Sequence, residues 1–322
     1  MIKYFLGPMS KNIVESVIEF NKEFDYQFGF IPSRRQVEYD GGYVNNWTTK
    51  EFREYTSGSF LTRDHAGPDQ GLLSDDGYKS LSVDCKYFDM IHIDPWKRYS
   101  SFKEGLNSTV KMIKFCHGIN DSILFEVGTE QSIRKFEANE VEDLLKGLKN
   151  SLSSSEYKKV SYCVIQSGTA LKGNKNTGVY NREKLSDMIS VVKKYGLLSK
   201  EHNGDYLSTN LIREKFSLGL DSINIAPELG QVETKTYLSL IGKKRQDLLD
   251  KYFKICYNSG RWSKWVDKDF DPFEKKEELI NVCGHYVLSD EEFLISIKSN
   301  FDNVDNMVKN NIKKKLKDLF CE

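Results

Sequence analysis

A short apolar strand is predicted at Phe60-Leu61-Thr62-Arg63-Asp64-His65-Ala66-Gly67-Pro68, with an Asp–His pair near its end and a Gly-Pro break behind it. In barrels of alternating strands and helices, catalytic groups lie at the carboxyl ends of the strands. We therefore interpret His65 as a candidate metal ligand and Asp64 as a candidate proton-transfer group. The rest of the chain must then supply the barrel and the remaining ligands.

Similar runs, rich in β-branched and aromatic residues, alternate with helical patterns up to about residue 250. The eight predicted strands span residues 4–8, 26–32, 60–68, 90–95, 123–130, 160–168, 197–202 and 222–227. One long helix is predicted after them, from about 232 to 252. Eight strand–helix units predict an α/β fold, the (β/α)8 TIM barrel. The alternative, a doubly wound open sheet, usually carries a Gly-rich phosphate turn after its first strand, and the sequence has none there.

Residues 253–322 depart from this alternation and predict a helical C-terminal extension packed on a barrel domain of residues 1–252. The extension contains an aromatic and basic stretch, Tyr257-Asn258-Ser259-Gly260-Arg261-Trp262-Ser263-Lys264-Trp265, and continues in Lys/Glu-rich helical patterns. Tryptophan and arginine are frequent anchors of protein interfaces. The stretch therefore has two interpretations, packing on the barrel or a contact in a homo-oligomer.

The composition limits the possible partners. Lys plus Arg and Asp plus Glu each number 47, so the net charge is 0 and no nucleic-acid partner is expected. No apolar run approaches the roughly eighteen residues of a membrane span, and the run at residues 1–6 is too short for a signal peptide. The cysteines lack Cys-x-x-Cys spacing, which is typical of reduced thiols in a cytoplasmic protein. They are Cys85, Cys116, Cys163, Cys256, Cys283 and Cys321.

Polar and charged side chains are frequent at the predicted strand ends. They are Arg34, Arg35, Gln36, Asp64, His65, Asp94, Glu126, Glu130, Gln166, His202, Asp205 and Glu228. Two imidazoles, His65 and His202, that converge with a carboxylate from separate strands would form a site for zinc or another divalent ion. The alternative is that both histidines are hydrogen-bonded rim residues that hold loops. His92, in the middle of a strand, is interpreted as a buried core histidine.

Two segments are candidates for binding an anion. Arg34 and Arg35 could clamp an anionic substrate group, or they could pair with Asp40 or Glu38. The Gly-rich loop at 167–175, which carries Lys172, could close over a phosphate with its backbone N–H groups, or it could be a mobile loop.

The order of several motifs resembles the GatZ/KbaZ subunit family of tagatose-bisphosphate aldolase. The segment Gln36-Val37-Glu38-Tyr39-Asp40-Gly41-Gly42-Tyr43, with Thr48 to Phe52 after it, is similar to the family's Q-V-x-x-x-G-G-Y and T-x-x-x-F. The other matching segments are Asp64-His65-Ala66-Gly67-Pro68, Ile91-His92-Ile93-Asp94, Gly128-Thr129-Glu130, Gln166-Ser167-Gly168 and His202-Asn203-Gly204-Asp205-Tyr206. Gln131-Ser132-Ile133 stands where the family has a V-P-x-P-G-G loop, so the substrate stays open.

The resemblance implies a barrel related to zinc-dependent class II aldolases. It implies a metal site at His65, Glu130 and His202, with Asp64 as the acid/base. The pocket would be lined by Gln36, Asp94, Gln166 and Asp205. The implied chemistry is retro-aldol cleavage, a lyase reaction, or epimerisation, an isomerase reaction, through a shared enediolate.

The leading hypothesis is a metal-dependent aldolase or epimerase of carbohydrate metabolism that acts on a phosphorylated or anionic sugar. Its catalytic candidates are Asp64, Glu126 and Asp94; its substrate-binding candidates are Arg34, Arg35, Gln36, Gln166, Asp205 and Lys172; its metal candidates are His65, Glu130 and His202. The rival hypothesis is a non-catalytic partner that stabilises or activates a class II aldolase. An accessory barrel has little reason to keep a complete site, which favours the enzyme.

Overall fold

A computed structural model describes residues 1–320, in which eight parallel strands form one sheet. The strands are β1 (Tyr4–Leu6), β2 (Gly29–Phe30), β3 (Thr62–Ala66), β4 (Met90–Ile93), β5 (Leu124–Val127), β6 (Val160–Ile165), β7 (Leu198–Glu201) and β8 (Ser222–Ile225). Their order in the sheet is β2-β1-β8-β7-β6-β5-β4-β3. A small hairpin, Leu171–Lys172 with Lys175–Asn176, follows β6.

The sheet closes between β3 and β2, the two strands at its ends. Parallel bridges join Phe30 to Leu61 and Ser33 to Asp64, and the Asp64 N–H donates to the Pro32 carbonyl at 3.1 Å. The predicted (β/α)8 TIM barrel is therefore confirmed.

β2 is much shorter than the predicted run at 26–32 because its first half is a turn. The Tyr26 N–H donates to the Asn21 carbonyl at 3.0 Å, and the Phe28 N–H donates to Asn21 Oδ1 at 3.0 Å. Gly29 then lies against the Phe5 ring, where an added Cβ would come within 2.8 Å. A larger residue at position 29 would therefore push β2 away from β1.

Helices cover the outside of the barrel. They are α1 (Lys11–Phe24), α2 (Thr49–Tyr55), α3 (Tyr78–Tyr87), α4 (Phe102–Ile119), α5 (Ala138–Ser151), α6 (Ser154–Tyr157), α7 (Arg182–Lys194), α8 (Thr209–Ser217) and α9 (Pro227–Ile241). The predicted capping box at the start of α2 is present, with Thr48 Oγ1 accepting from the Glu51 N–H and Glu51 accepting from the Thr48 N–H.

The single helix predicted at 232–252 is wrong. The chain forms α9 and then α10 (Gln246–Asn258), with a break at Gly242, whose φ is +54°. This left-handed conformation suits glycine and ends the helix. The predicted domain boundary at residue 252 falls inside α10. The division of the chain into a barrel domain and an extension stays a prediction.

The C-terminal extension is helical and packs on the barrel. Its helices are α11 (Lys276–Cys283), α12 (Glu291–Ser296) and α13 (Val304–Phe320), with 3-10 turns at Ser263–Trp265, Gly284–Tyr286 and Lys298–Asn300. Val304, Val308, Ile312 and Leu316 form one buried stripe of α13 in the core that also holds the apolar face of α1. Ion pairs flank this contact, including Lys313 to Glu19 at 2.7 Å.

Five of the six cysteines, Cys85, Cys116, Cys163, Cys256 and Cys283, are buried free thiols, and Cys321 lies outside the described residues. Across residues 1–320, every helix is too short or too polar to cross a bilayer.

Candidate active site

A cavity of about 580 Å³ opens at the carboxyl ends of the strands. Seven of the predicted site residues line it, namely Arg35, Gln36, Asp64, His65, Glu130, His202 and Asp205. The C-terminal extension forms another part of the wall, with Arg261, Lys264 and Tyr286. The cavity is therefore built jointly by the barrel and the extension.

A bulge in β3 turns Asp64 and His65 toward the same cavity. Successive side chains of a strand normally point to opposite faces. The pairing of β3 with β4 shifts register between Arg63 and Ala66, and His65 has a φ of +47°, in the left-handed region. Such a backbone is unfavourable for a residue with a Cβ and persists where the surrounding structure holds it.

Three imidazoles and one carboxylate meet beside this cavity. The ring centroids of His65, His92 and His202 lie 4.8 to 5.1 Å apart. Asp64 Oδ1 lies 3.8 Å from His65 Nε2 and 3.8 Å from His202 Nδ1. One ligand atom from each of the four residues falls within 4.8 Å of all the others. We call these four residues the histidine cluster.

Each imidazole of the histidine cluster is held by an oxygen on its other nitrogen. His65 Nδ1 bonds Asp94 Oδ2 at 2.6 Å, and His202 Nε2 bonds Glu126 Oε1 at 2.7 Å. His92 Nε2 bonds a backbone oxygen, the Gly128 carbonyl, at 3.0 Å. Metal-binding histidines typically carry such a partner, which fixes the ring. The second nitrogen is available on His65 and His202, whereas His92 Nδ1 also accepts from the His65 N–H at 3.3 Å.

The charges around the histidine cluster favour a cation. Burial lowers the pKa of His65, but the Asp64 charge and the hydrogen bond to Asp94 outweigh it and raise that pKa to about 10. Burial lowers the pKa of His92 to about 4, so this ring is neutral at pH 7. The carboxylates that stabilise a proton on His65 would equally stabilise a metal ion in its place.

The donor set therefore fits a divalent ion. Asp64 Oδ1 is buried without a hydrogen-bond partner among the described residues, and neutral imidazole with carboxylate suits zinc. Glu130, predicted as a ligand, lies next to the cluster, with Oε2 4.0 Å from His65 Nε2. His92 was not among the predicted candidate ligands because a buried mid-strand histidine also fits a core role. Its position two residues before Asp94, on the same strand face, was the available signal.

Asp94 and Glu126, predicted as catalytic, lie behind the imidazoles and are fully buried. Asp94 also accepts from Thr129 Oγ1 at 2.9 Å and from the Trp96 N–H at 3.1 Å. Burial opposes ionisation of Glu126, but the Lys200 ammonium at 2.7 Å keeps its pKa well below the usual range. These carboxylates orient histidines and do not line the cavity.

Three predicted substrate-binding residues also lie away from the cavity wall. Arg34 is buried and pairs with Glu38 at 2.5 Å and Asp75 at 2.6 Å, so the ion-pair alternative describes it. Gln166 holds the loop after β5, donating to the Thr129 and Arg134 carbonyls at 2.8 Å each. Lys172, on the hairpin, pairs with Asp267 of the extension.

Asp205 and Asn224 are two polar residues of the cavity wall. Asp205 Oδ1 accepts from the Ala226 N–H at 2.9 Å and the Glu228 N–H at 2.8 Å, at the start of α9. Burial raises the pKa of Asp205 to about 7. Asn224, on β8, was missed by the sequence reading; it lines the cavity, and its Oδ1 is buried without a partner among residues 1–320.

No protein-family model and no curated protein matches the sequence. Solved structures share the fold. A probable tagatose 6 phosphate kinase from Sinorhizobium meliloti 1021 has a TM-score of 0.76 at 13% identity, with 100% of both chains covered. The fructuronate-tagaturonate epimerase UxaE from Cohnella laeviribosi has a TM-score of 0.60 at 11% identity, covering 99% of this chain and 81% of that one. A fructose-bisphosphate aldolase from Campylobacter jejuni has a TM-score of 0.57 at 13% identity, covering 99% and 90%. At these identities the likeness shows the fold alone.

Proposed function

We propose that this chain is a metal-dependent enzyme, an aldolase or an epimerase that acts on a phosphorylated or otherwise anionic sugar. The observation that carries the proposal is the histidine cluster at the carboxyl ends of the strands, next to a cavity large enough for a sugar. The resemblance of the motifs to the GatZ/KbaZ family supports it. So do the names of two proteins with the same fold, an aldolase and an epimerase.

In this proposal His65 Nε2 and His202 Nδ1 hold the ion, and His92 Nδ1 joins them by giving up its hydrogen bond from the His65 N–H. Glu130 is the remaining candidate ligand, because its carboxylate lies 4.0 Å from His65 Nε2. A divalent ion bound there, most readily zinc, would supply a Lewis acid that polarises a ketose carbonyl. Asp94 and Glu126 keep the rings oriented, and the low pKa of Glu126 keeps it a hydrogen-bond acceptor for His202.

Asp64 moves the proton. A general base needs a carboxylate oxygen that is not already engaged, and Asp64 Oδ1 is buried with no hydrogen-bond partner among the described residues. In an aldolase Asp64 would take the proton of a substrate hydroxyl as the carbon–carbon bond breaks. In an epimerase it would take the proton from the carbon that is inverted. Asn224 is placed to hydrogen-bond the substrate from β8.

Metal analysis of the purified full chain tests the metal site. We expect a stoichiometric divalent ion in the wild type and its loss in His65→Ala and His202→Ala. His117→Ala is the matched control, because His117 lies on α4 outside the cavity and should leave the metal content unchanged. A wild-type protein that does not bind zinc or another divalent ion, or a His65→Ala variant that retains it fully, contradicts the proposal.

Turnover separates the enzyme from the accessory subunit. We expect the chain alone to cleave or epimerise at least one member of a panel of ketose phosphates and keto-sugar acids. If the metal is present but every substrate stays unchanged, and a class II aldolase gains activity or stability when the chain is added, the accessory role is correct instead.

A further inference from the structure

Charges are distributed unevenly over the cavity wall. Its acidic groups Asp64 and Glu130 adjoin the histidine cluster, while four cationic side chains line the same cavity from loops and from the extension. These are Arg35, Lys97, Arg261 and Lys264, which we call the cationic wall. In contrast to Arg34, Arg63 and Arg98, which all pair with carboxylates, none of the four forms an ion pair within residues 1–320.

Arg261 is held in place without having its charge neutralised. Its Nη1 donates to the Tyr286 carbonyl at 3.1 Å, and its guanidinium carbon lies 4.8 Å from the Tyr43 ring centroid and 5.6 Å from that of Tyr286. Stacking and one hydrogen bond leave several N–H donors unused. A guanidinium fixed in this way is prepared to bind an oxyanion with little further loss of side-chain entropy.

Lys264 follows three residues later, in the 3-10 turn Ser263–Trp265. Lys264 Nζ lies 5.3 Å from the same Tyr286 ring and 4.6 Å from the Trp265 ring. The extension thus presents two cations around one tyrosine on the cavity wall.

Arg35 and Lys97 come from the loops after β2 and β4. Arg35 Nε donates to the Gly71 carbonyl at 3.3 Å, and the Lys97 ammonium donates to the Asp69 carbonyl. Burial lowers the pKa of Lys97 and the repulsion of the Arg35 charge lowers it further, against the smaller raising effects of the Asp69 and Asp94 charges. The Asp69 carboxylate is engaged by Arg98 at 2.7 Å and 2.8 Å. A bound anion would relieve this repulsion.

We propose that the cationic wall is a subsite for a phosphate group of the substrate, and that Arg261 and Lys264 make the C-terminal extension part of that subsite. This inference rests on the proposed function only in placing a substrate in this cavity. It gives the extension a role in substrate selection in addition to its packing on the barrel. It also assigns the four cations to a subsite distinct from the histidine cluster.

The test is the binding of inorganic phosphate to the full chain, measured by isothermal titration calorimetry. We expect Arg261→Gln/Lys264→Gln to weaken phosphate binding about tenfold or more, because the two substitutions remove charge-assisted hydrogen bonds to the anion. Lys268→Gln is the matched control, since Lys268 is an exposed lysine of the same segment that does not line the cavity. It should bind phosphate as the wild type does.

Three measurements make the result decisive. Lys264→Gln alone, at an exposed position, should weaken phosphate binding even if the double variant unfolds early in a thermal melt. Acetate should compete poorly, and equal competition by acetate would replace the phosphate subsite with a carboxylate one. His65→Ala should bind phosphate normally, so a failed metal site and a failed phosphate subsite give different results. Unchanged phosphate binding in both Arg261→Gln/Lys264→Gln and Lys264→Gln overturns the inference. Equal weakening of phosphate binding in Lys268→Gln does so too.

Discussion

Two neighbouring residues of β3 differ in whether their buried charged groups have hydrogen-bond partners. Arg63 faces the helices, and all five of its N–H donors are used: Asp84 accepts at 2.9 and 2.7 Å, the Pro32 and Val37 carbonyls at 3.1 and 2.7 Å, and Thr49 Oγ1 at 3.3 Å. Asp64, the next residue, faces the cavity and has a buried oxygen with no partner among residues 1–320. On β3 the structural charge is saturated, whereas the charge left unsaturated lies at the candidate site.

The largest expected effect is on the unsaturated side of β3. Asp64→Asn should reduce kcat by roughly 10²–10⁴-fold, since it removes the proposed base. The free energy of unfolding should fall only by the contribution of the ion pair with His65, about 1 kcal/mol, because Oδ1 has no hydrogen bond to lose. Turnover of the substrate found in the panel, together with urea unfolding, checks both halves. Full activity in Asp64→Asn would end the assignment of Asp64 as the base.

Substitution of Arg63, whose N–H donors are all paired, should instead lower stability and leave kcat unchanged. Arg63→Ala leaves Asp84 charged and buried without its partner, so we expect a loss of about 3–5 kcal/mol in the free energy of unfolding. Whatever fraction of the protein stays folded should retain its kcat per folded molecule. Urea denaturation followed by circular dichroism measures the loss. If kcat is still reduced after the activity is corrected for the fraction of folded protein, the two sides of β3 are not separate.

The smallest effect at pH 7 concerns His285, a buried histidine outside the cluster. Neither of its ring nitrogens has a partner among the described residues, and burial lowers its pKa to about 3. The unfolded chain therefore binds a proton near pH 6.5 that the folded chain does not, and stability falls as pH drops from 6.5 toward 3, by up to about 1.4 kcal/mol per pH unit.

His285→Leu should remove this part of the acid sensitivity, because leucine cannot take up a proton. Stability at pH 7 should stay equal or rise, since two unpaired buried nitrogens are removed. Unfolding curves between pH 4 and pH 7 give the measurement. An unchanged slope of stability against pH in His285→Leu would mean that the folded protein also binds a proton at His285, or that a hydrogen-bond partner pairs this ring in solution.

The barrel could be predicted from the sequence because alternation of short apolar runs and helical patterns is a local property. The same holds for Asp64, His65 and His202, whose positions after strands place them at one end of any barrel. The break at Gly242 was also readable in principle, since a glycine followed by Lys243-Lys244-Arg245 is a plausible helix end.

Long-range pairing could not be predicted in this way. Arg34 follows a strand as Arg35 does; its local pairing with Glu38 was one of the two alternatives, but its bidentate partner Asp75 lies 41 residues further along. Arg261 and Lys264 appeared as packing or oligomer residues because nothing local shows that their segment returns to the cavity. His92 was interpreted as a core histidine for the same reason, since its partners come from β3 and from Gly128 after β5.

Asp64 lies at the seam where β3 meets β2, and its backbone N–H is one of the bonds that joins them. The order in which the chain becomes functional follows from this position. A partly assembled barrel, with seven strand contacts made and the seam open, lacks the backbone support that aims Asp64 at its neighbours. Activity should therefore not appear during refolding before the seam has closed, even where helical circular dichroism has already recovered.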